Sequence, residues 1–197
     1  MIVRPSVTLE GKRVRLEPLS VRHVVHLEAA GSAKSIWRWM PSAYYEPGAM
    51  QRFVDEALRL QEAGTAIPFA IVDSQSGRAV GSTRYHCIEP QHRRLEIGFT
   101  WIALAFQRTY VNTDAKLTLL QYAFETLGCR RVEFKVDSEN QKSRNAVLRL
   151  GATEEGHFRK HMLYEDGRNR DSIYYSIVDD EWPVIKGKLQ ERVTSLS

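Results

Sequence analysis

The sequence predicts an α/β fold with a single mixed, mostly antiparallel sheet of six to seven strands and helices on both faces. Apolar and polar residues alternate over short segments such as 95–102 and 131–136, as they do in half-buried strands. Between such segments apolar residues recur at helical spacing, for example over 113–127. Asp166 and Gly167 form a typical hairpin turn sequence. Strands and helices are therefore interleaved along the chain.

The composition is that of one globular domain. Of the 197 residues, 43% are hydrophobic and 26% are charged, and one domain usually holds about 100–200 residues. No run of about 18 apolar residues could span a bilayer, so no membrane contact is expected. The first residues lack the apolar stretch and cleavage site of a signal peptide. We therefore expect one domain over 1–197 in the cytoplasm, with Cys87 and Cys129 as reduced, buried thiols.

The charge pattern predicts no nucleic-acid partner. Lys and Arg number 28 against 24 Asp and Glu, and the net charge is +4. These residues are scattered and interleaved with acids, as on a solvated surface, and no nucleic-acid motif is present. The six histidines are also scattered without ligand spacing, and the two cysteines are far apart. The sequence thus predicts no metal site.

The first third of the chain predicts one strand and two helices. A short strand covers 13–16, and a helix follows that ends near Gly31. Residues 35–45 are rich in aromatic side chains but have no clear period, which indicates a loop. The second helix is predicted to begin at Pro47 and to stop at Gly64.

The middle of the chain predicts three strands. Segments 68–72 and 78–85 flank the turn-rich sequence 73–77, so we expect antiparallel neighbours. The alternating run 95–102 is typical of a central strand. Within it, Gly98 indicates a bulge.

The last third predicts further helices and strands. A helix over 113–127 ends at Gly128 and is followed by a strand over 131–136. Asn140 opens the next helix, which ends at 150–151. Two strands then surround the hairpin turn, the second of them over 172–177, and the C-terminal helix starts at 181–183.

Five short pieces of sequence, in their order and spacing, resemble the GNAT acetyltransferase superfamily, and within it the branch that acetylates ribosomal-protein N-termini. The pieces are Leu95-Glu96-Ile97-Gly98, Asn140-Gln141-Lys142-Ser143, Leu150-Gly151-Ala152, Glu155-Gly156 and Arg170-Asp171. The resemblance covers about 13–189. It implies acetyl-CoA as donor and two central parallel strands that splay to admit coenzyme A. The amine acceptor it implies is a protein or peptide N-terminus, and a homodimer is left open.

The resemblance also implies where coenzyme A binds. The family's pyrophosphate loop corresponds to Gln107, Arg108, Thr109, Tyr110, Val111, Asn112 and Thr113. Such a loop enters a helix, whose free N–H groups bind phosphate. Tyr110 and Asn112 stand where the family has small residues, so their side chains must turn away. The alternative is an ordinary helix cap formed by Asn112 or Thr113.

Further donor contacts follow from the same resemblance. The pantothenate arm would bond the main chain of Thr100, Trp101 and Ile102 as a surrogate strand. Asn140 could bond the arm or the adenylate side, or could only cap its helix.

The resemblance places two candidate catalytic residues. Glu96 is the expected base that removes a proton from the acceptor amine, directly or through water. The alternative is a structural Glu96 paired with Arg93, Arg94 or a neighbouring strand. Ser143 is expected to stabilise the departing thiolate, with helix capping as its alternative role. Because no G-x-S-x-G motif or Cys/His signature supports a covalent nucleophile, direct transfer in a ternary complex is expected.

The resemblance also implies that aromatic and basic residues line the acceptor side. These candidates are Trp37, Trp39, Tyr44, Tyr45, Arg159, His161 and Arg170. Since aromatic residues are more often core than binding surface, a core role is the alternative. Two other functions stay open: acetylation of a small amine, such as a polyamine, an aminoglycoside or an amino acid, and non-catalytic binding of acyl-CoA.

Overall fold

The computed structural model describes residues 7–195. The strands are β1 Leu9–Glu10, β2 Val14–Pro18, β3 Ala66–Asp73, β4 Ala79–Glu89, β5 Arg94–Ile102, β6 Arg131–Asp137, β7 Thr153–Leu163 and β8 Asn169–Val178. The helices are α1 Val24–Ala30, α2 Ala49–Glu62, α3 Tyr110–Gln121, α4 Gln141–Leu148 and α5 Trp182–Ser195. Within 7–195 no helix combines the length and apolar character needed to cross a bilayer.

All eight strands form one sheet in the order β1-β2-β3-β4-β5-β6-β8-β7. Among the strands of the described residues, only β5 and β6 run parallel; the other neighbours are antiparallel. The predicted mixed, mostly antiparallel sheet is therefore confirmed. The count of six to seven is short by one, because β1 has only two residues, too few for an alternation pattern to be visible.

Helices cover both faces of the sheet, as predicted. On one face α3 and α5 pack over the strands in a core that includes Leu119 and Leu189. On the other face α2 contributes Phe53 to a second core with Trp37 and Trp101. The strands in the middle of the sheet, such as β3, are therefore buried on both faces, as a sheet between two layers requires.

Helix α3 begins three residues earlier than predicted, at Tyr110 rather than at Thr113. Its N-cap is Thr109, whose Oγ1 accepts a hydrogen bond from Val111 N at 3.3 Å. The alternative of a cap at Asn112 or Thr113 is therefore wrong, because both residues lie within the first turn of the helix. The following turn, Tyr122–Thr126, is a π-helix.

Lys116 of α3 lies buried against β4 and β5 without an acidic partner among the hydrogen bonds of its ammonium group. Its Nζ donates to Thr100 Oγ1 at 2.5 Å and to Thr83 Oγ1 at 3.3 Å. Desolvation lowers the pKa of Lys116 from 10.5 to about 7. The unfolded chain therefore binds more protons than the native protein between about pH 7 and 10.5, so this group makes stability rise with pH in that window.

Replacing Lys116 by methionine should stabilise the protein most below pH 7, where the buried ammonium is charged. We expect a Tm gain of at least ~5 °C at pH 6.5, since 1 kcal/mol shifts Tm by ~2–4 °C at this size. At pH 9.5 the gain should be a third of that or less. Thermal melts of Lys116→Met and of exposed Lys188→Met as control measure this; an equal gain at both pH values would contradict it.

Candidate functional site

The two parallel strands separate halfway along β5. The register pairs Arg94, Leu95 and Glu96 of β5 with Arg131, Val132 and Glu133 of β6, and no pair follows among the described residues. From Ile97 onward the β6-facing edge of β5 is therefore not part of a ladder with β6. The splayed strands that the fold class includes are thus present, and Glu96 lies where they begin to separate.

Glu96 is buried, with 2% of its surface exposed. One carboxylate oxygen, Oε1, lies 3.1 Å from His86 Nε2 of β4, and the other, Oε2, lies 3.8 Å from Lys135 Nζ of β6. Arg93 and Arg94 bond to Gly128 O and Glu133 Oε2 and form no ion pair with Glu96, so the part of the structural alternative that matches is pairing with neighbouring strands. Glu96 is thus a buried carboxylate between two nitrogen groups on the neighbouring strands.

His86 lies above Gly98 because the register pairs β4 with β5 at this point. A Cβ on Gly98 would come within 2.3 Å of His86 Nε2, so only glycine leaves room for the ring. Burial lowers the pKa of His86, but Cys87 and the Glu96 carboxylate raise it by more, and the pKa lies above 6.5.

The bulge in β5 is one residue later than predicted. Gly98 still pairs with Arg84, whereas Phe99 has φ 49° and the register shifts after it. Phe99 and Thr100 together oppose Thr83, as in a bulge. The prediction of a bulge at Gly98 is therefore wrong by one position, because the glycine is needed for space and not for its backbone angles.

Cys87 is exposed, which corrects the prediction of two buried thiols; only Cys129 is buried. The φ of Cys87 is 47° and lies in the left-handed region, outside the usual backbone angles of a strand. Cys87 Sγ is 3.4 Å from His86 Nδ1. His86, Cys87 and Glu96 place potential metal ligands within 4.8 Å of one another, a convergence that the sequence did not indicate.

The loop that enters α3 is arranged around two unusual residues. Arg108 is exposed and has φ 65°, the left-handed region that favours glycine. Tyr110 turns its side chain away from the helix end, since its hydroxyl donates to Asp73 Oδ1 at 2.5 Å and its ring lies 3.5 Å from the Arg13 guanidinium carbon. The main chain at this helix N-terminus is therefore not covered by the tyrosine ring.

Gln107 connects this loop to its surroundings. Its Nε2 donates to Ile102 O at 2.8 Å, and its Oε1 accepts from Lys142 Nζ at the start of α4. The N-terminal ends of α3 and α4 are thus joined by one side chain. The Ile102 carbonyl already accepts one hydrogen bond, so a pantothenate arm that bonds to it would share this oxygen with Gln107 or displace the glutamine.

The side chains of Thr100 and Trp101, the two other residues predicted to bind the pantothenate arm, make contacts away from the gap between β5 and β6. Trp101 is buried and its ring packs against Trp37 at 5.0 Å and Phe53 at 5.9 Å. Thr100 turns its hydroxyl toward Lys116. Only the main chain of these residues can therefore face an arm bound between the strands.

Asn140 and Ser143 lie together at the start of α4. Asn140 Oδ1 accepts a hydrogen bond from the Ser143 main-chain N at 3.1 Å, so Asn140 is the N-cap. Ser143 contributes only its backbone to this cap. The capping alternative therefore describes Asn140, while the half-buried Ser143 hydroxyl is not used for it.

The aromatic loop divides between core and surface. Trp37 is only 2% exposed and its Nε1 donates to Gly31 O at 2.7 Å, so it belongs to the core and not to an acceptor surface. Trp39 is half-buried beside Arg38. Tyr44 donates to Glu56 Oε2 at 2.6 Å; burial and this carboxylate raise the pKa of Tyr44 to about 12. Half-buried Tyr45 lies 5.5 Å from Lys34 Nζ.

The last two strands place an aromatic cluster on the other side of Glu96. Phe158, His161 and Tyr174 lie with ring centroids 4.9–5.6 Å apart. Burial, followed by the negative charge of Glu96, raises the pKa of Tyr174 to about 12, and burial and Lys135 lower that of His161.

The two arginines predicted to border the acceptor cleft differ in exposure. Arg159 is exposed on β7. Arg170 is buried, and its Nε lies 3.7 Å from Asp137 Oδ2, so it contributes to the strand packing. Of the pair, only Arg159 is accessible to an acceptor.

The structure adds four residues near Glu96 and the helix ends that the sequence did not single out. They are His86, Lys135, Tyr174 and Lys142. Alternation along β4, β6 and β8 places the first three on the face of Glu96, but only the strand order reveals that these strands are neighbours. Lys142 lies within the motif Asn140-Gln141-Lys142-Ser143, but the sequence predicted no function for it.

Comparison with known proteins gives a matching family model and a similar bacterial protein, and both are described as acetyltransferases. The family model "Acetyltransferase (GNAT) domain" matches residues 13–153. The Bacillus subtilis protein named "Putative ribosomal N-acetyltransferase YdaF" is 38% identical over 106 residues, which cover 54% of this chain and 57% of that protein.

Solved structures share the whole fold. A GCN5-related N-acetyltransferase from Brucella melitensis superposes with TM-score 0.89 and 33% identity, covering 95% of this chain and 86% of that chain. Mycobacterium smegmatis RimJ in complex with CoA-disulfide has TM-score 0.82 at 21% identity, covering 95% of each chain, and is similar in fold alone.

Proposed function

The chain belongs to the GNAT acetyltransferase family, and we propose that it moves acetyl from acetyl-CoA onto the N-terminal α-amine of a protein or peptide. Transfer is direct, in a ternary complex of donor, acceptor and protein. One observation carries this proposal. The buried carboxylate of Glu96 lies where β5 and β6 separate, next to the edge of β5 that does not pair with β6 and could bind acetyl-CoA.

The described residues fit the donor. An acyl-CoA arm that pairs with β5 beyond Glu96 would replace the missing β6 partner. The diphosphate would lie at the N-terminus of α3, where backbone N–H groups and the helix dipole favour anions. Arg108 and Lys142 would add positive charge there. Tyr110 does not obstruct this end, because Asp73 holds its hydroxyl.

The transfer itself needs a base and a means of stabilising the thiolate. Glu96 would take the proton from the acceptor ammonium, and the freed lone pair would attack the thioester carbonyl. When the tetrahedral intermediate collapses, the C–S bond breaks and sulfur takes the electron pair. The nitrogen loses its second proton to the thiolate or to solvent, which leaves a neutral amide and coenzyme A. The Ser143 hydroxyl at the first turn of α4 would donate to that sulfur, assisted by the helix dipole.

A peptide acceptor is favoured by the open side of the cleft. Strand β7 is exposed at nearly every position, so an extended chain has room to lie along it. Phe158 is 50% exposed there and would give a peptide an apolar contact. An α-amine also suits a single carboxylate base. The pKa of an α-amino group, ~7.7–8.0, lies well below the ~10.4 of lysine, so its proton is easier to remove.

An acceptor panel tests this proposal. Coenzyme A release is measured with peptides that carry a free α-amine, with the same peptides blocked at the N-terminus but carrying lysine, and with a polyamine, an aminoglycoside and an amino acid. We expect kcat/KM for free α-amine peptides to exceed the others at least ~10-fold, and mass spectrometry to place the acetyl group on the N-terminus.

Other outcomes identify the alternatives. A small amine that equals or exceeds the peptides would replace the acceptor class and leave the acetyltransfer. Acetyl-CoA binding by calorimetry without turnover of any amine would instead indicate a non-catalytic acyl-CoA-binding protein.

A further inference from the structure

A buried arginine on β4 lies near the proposed base and has no acidic partner among residues 7–195. This residue, Arg84, is only 3% exposed. We propose that its guanidinium binds a carboxylate of the acceptor, so that the protein prefers peptides whose first residue is Asp or Glu. The inference rests on the proposed function, because this carboxylate belongs to the same molecule as the α-amine that receives the acetyl group.

The guanidinium of Arg84 is surrounded by aromatic rings and not by acceptors. Its Nε is enclosed without a hydrogen-bond partner, and no carboxylate in the described part of the chain lies within 4.0 Å of its nitrogens. Its central carbon is 4.1 Å from the ring centroid of Phe99 and 5.5 Å from that of Phe53. An aromatic face attracts a cation, but it does not replace the hydrogen bonds that the five N–H donors of an arginine lose on burial.

A buried charge without a counter-charge is unfavourable, and proteins normally pair it. An arginine cannot lose its proton to escape this cost, because it stays charged near neutral pH. The half-buried carboxylate of Glu56 on α2 acts on Arg84 through its charge. It lies beyond ion-pair distance, however, and accepts the Tyr44 hydroxyl at 2.6 Å. Arg84 is therefore available to an anion that enters with a ligand.

Arg84 lies on the same face of the sheet as Glu96. The register places Arg84 opposite Gly98 and His86 opposite Glu96, and residues two apart on a strand share a face. The ring of Phe99 contacts both β4 side chains, with its centroid 4.1 Å from the guanidinium carbon and 5.3 Å from the imidazole centroid. Two residues along a strand span ~6.4–6.8 Å. This spacing suits an acceptor residue whose amine lies at Glu96 and whose side-chain carboxylate extends toward Arg84.

The charges on this face match an acceptor end that carries both signs. Glu96 is negative and has Lys135 Nζ 3.8 Å away, and Arg84 adds a second positive charge. A polyamine would place further positive charge beside the unpaired guanidinium, which is unfavourable. An acidic first residue instead brings an ammonium to Glu96 and a carboxylate to Arg84. The rest of the peptide would leave the cleft along the exposed strand β7.

Acceptor peptides that differ in one charged group test the inference. Coenzyme A release is measured with tetrapeptide amides that have Asp, Asn, Glu or Gln followed by three alanines. Amidation leaves the first side chain as the only carboxylate. We expect kcat/KM for the Asp and Glu peptides to exceed that for their Asn and Gln analogues by ~10–100-fold, the usual effect of a hydrogen bond to a charged group. Equal values in the wild-type protein would overturn the inference without any variant.

Two variants of Arg84 identify the group that makes the distinction. Arg84→Met removes the charge and keeps a long side chain, so the preference for acidic peptides should fall below ~3-fold, through a higher KM for those peptides. The kcat/KM of the Asn and Gln peptides should stay within ~3-fold of wild type, because they form no charge-assisted bond. Arg84→Lys keeps the charge but loses the two parallel N–H donors and should show an intermediate preference. An unchanged preference in Arg84→Met would overturn the inference.

Thermal melts show whether Arg84 serves only the fold. Removal of a buried charge that has no partner should leave Tm at or above the wild-type value. Arg170 is the matched control: it is also buried, but its Nε lies 3.7 Å from Asp137 Oδ2. Arg170→Met leaves that buried carboxylate without its counter-charge and should lower Tm by at least ~5 °C. An equal loss of Tm in Arg84→Met with an unchanged acceptor preference would assign Arg84 to the fold alone.

The outcomes separate this inference from the proposed function. If peptides with a free α-amine are acetylated but acidic and amide analogues react equally, only the inference about Arg84 is overturned. If a free amino acid exceeds every peptide and loses this advantage in Arg84→Met, the peptide acceptor is wrong, while the binding of an acceptor carboxylate by Arg84 is supported. If the protein binds acetyl-CoA but acetylates no amine, both are overturned.

Discussion

Glu96→Gln should lower kcat by about 10²–10⁴-fold at neutral pH, the usual contribution of a general base. Glutamine has nearly the same size and keeps a polar contact in the space between His86 and Lys135. It cannot accept a proton. Because more of the acceptor amine is neutral at higher pH, raising the pH should partly restore turnover, and an α-amine should be rescued at lower pH than lysine. Steady-state kinetics from pH 6 to 10 measure both effects.

The neighbouring strand offers a matched control for this substitution. Glu133 is also buried and pairs in register with Glu96, but Arg94 and Arg131 bind its carboxylate. Glu133→Gln should therefore cost stability with little loss of kcat. A loss below tenfold in Glu96→Gln with an unchanged pH profile would mean that Glu96 is structural and that solvent takes the proton.

Ser143→Ala should lower kcat by about 10–100-fold while the Kd for acetyl-CoA stays within about twofold. A hydrogen bond to a charged group contributes ~1.5–3 kcal/mol, and this one forms only as sulfur becomes negative. Thermal stability should not change, because the cap of α4 uses the Ser143 main-chain N and the Asn140 side chain. Turnover kinetics, calorimetric titration with acetyl-CoA and melting curves measure the three quantities.

Asn140→Ala is the comparison that separates capping from chemistry. Loss of an N-cap costs ~0.5–2 kcal/mol, so this variant should melt earlier whatever it does to turnover. If Ser143→Ala instead turns over at the wild-type rate, the serine has no part in thiolate departure.

Much of the fold was predictable because its signals are local. Alternation and turn signals together predicted six to seven strands, and helix ends were marked by residues such as Asn140, whose short side chain can satisfy a free N–H. The two-residue β1 and the early start of α3 were missed. The start of α3 depends on the N-cap Thr109. Several polar residues near this position could cap a helix, and only the backbone conformation shows which one does.

The candidate site was predictable only in part. Glu96 and Ser143 were found through short motifs, whereas Trp37 was placed on the acceptor surface although it is buried in the core. Where aromatic residues show no periodicity, the sequence does not indicate whether their side chains face the core or the solvent. Similarly, Tyr110 could be recognised as a departure from the loop pattern, but its bond to Asp73 joins residues 37 positions apart.

By itself the sequence determined the order of strands and helices, the family resemblance and the position of one carboxylate on a central strand. Those properties depend on periodicity and on neighbours a few residues away. Only the tertiary structure decided that His86, Cys87, Lys135 and Tyr174 surround Glu96. The reason is physical: their meeting depends on the lateral order and register of four strands and on a left-handed backbone position at Cys87. Pairing across strands fixes which distant residues face each other, and this information is not local in the chain.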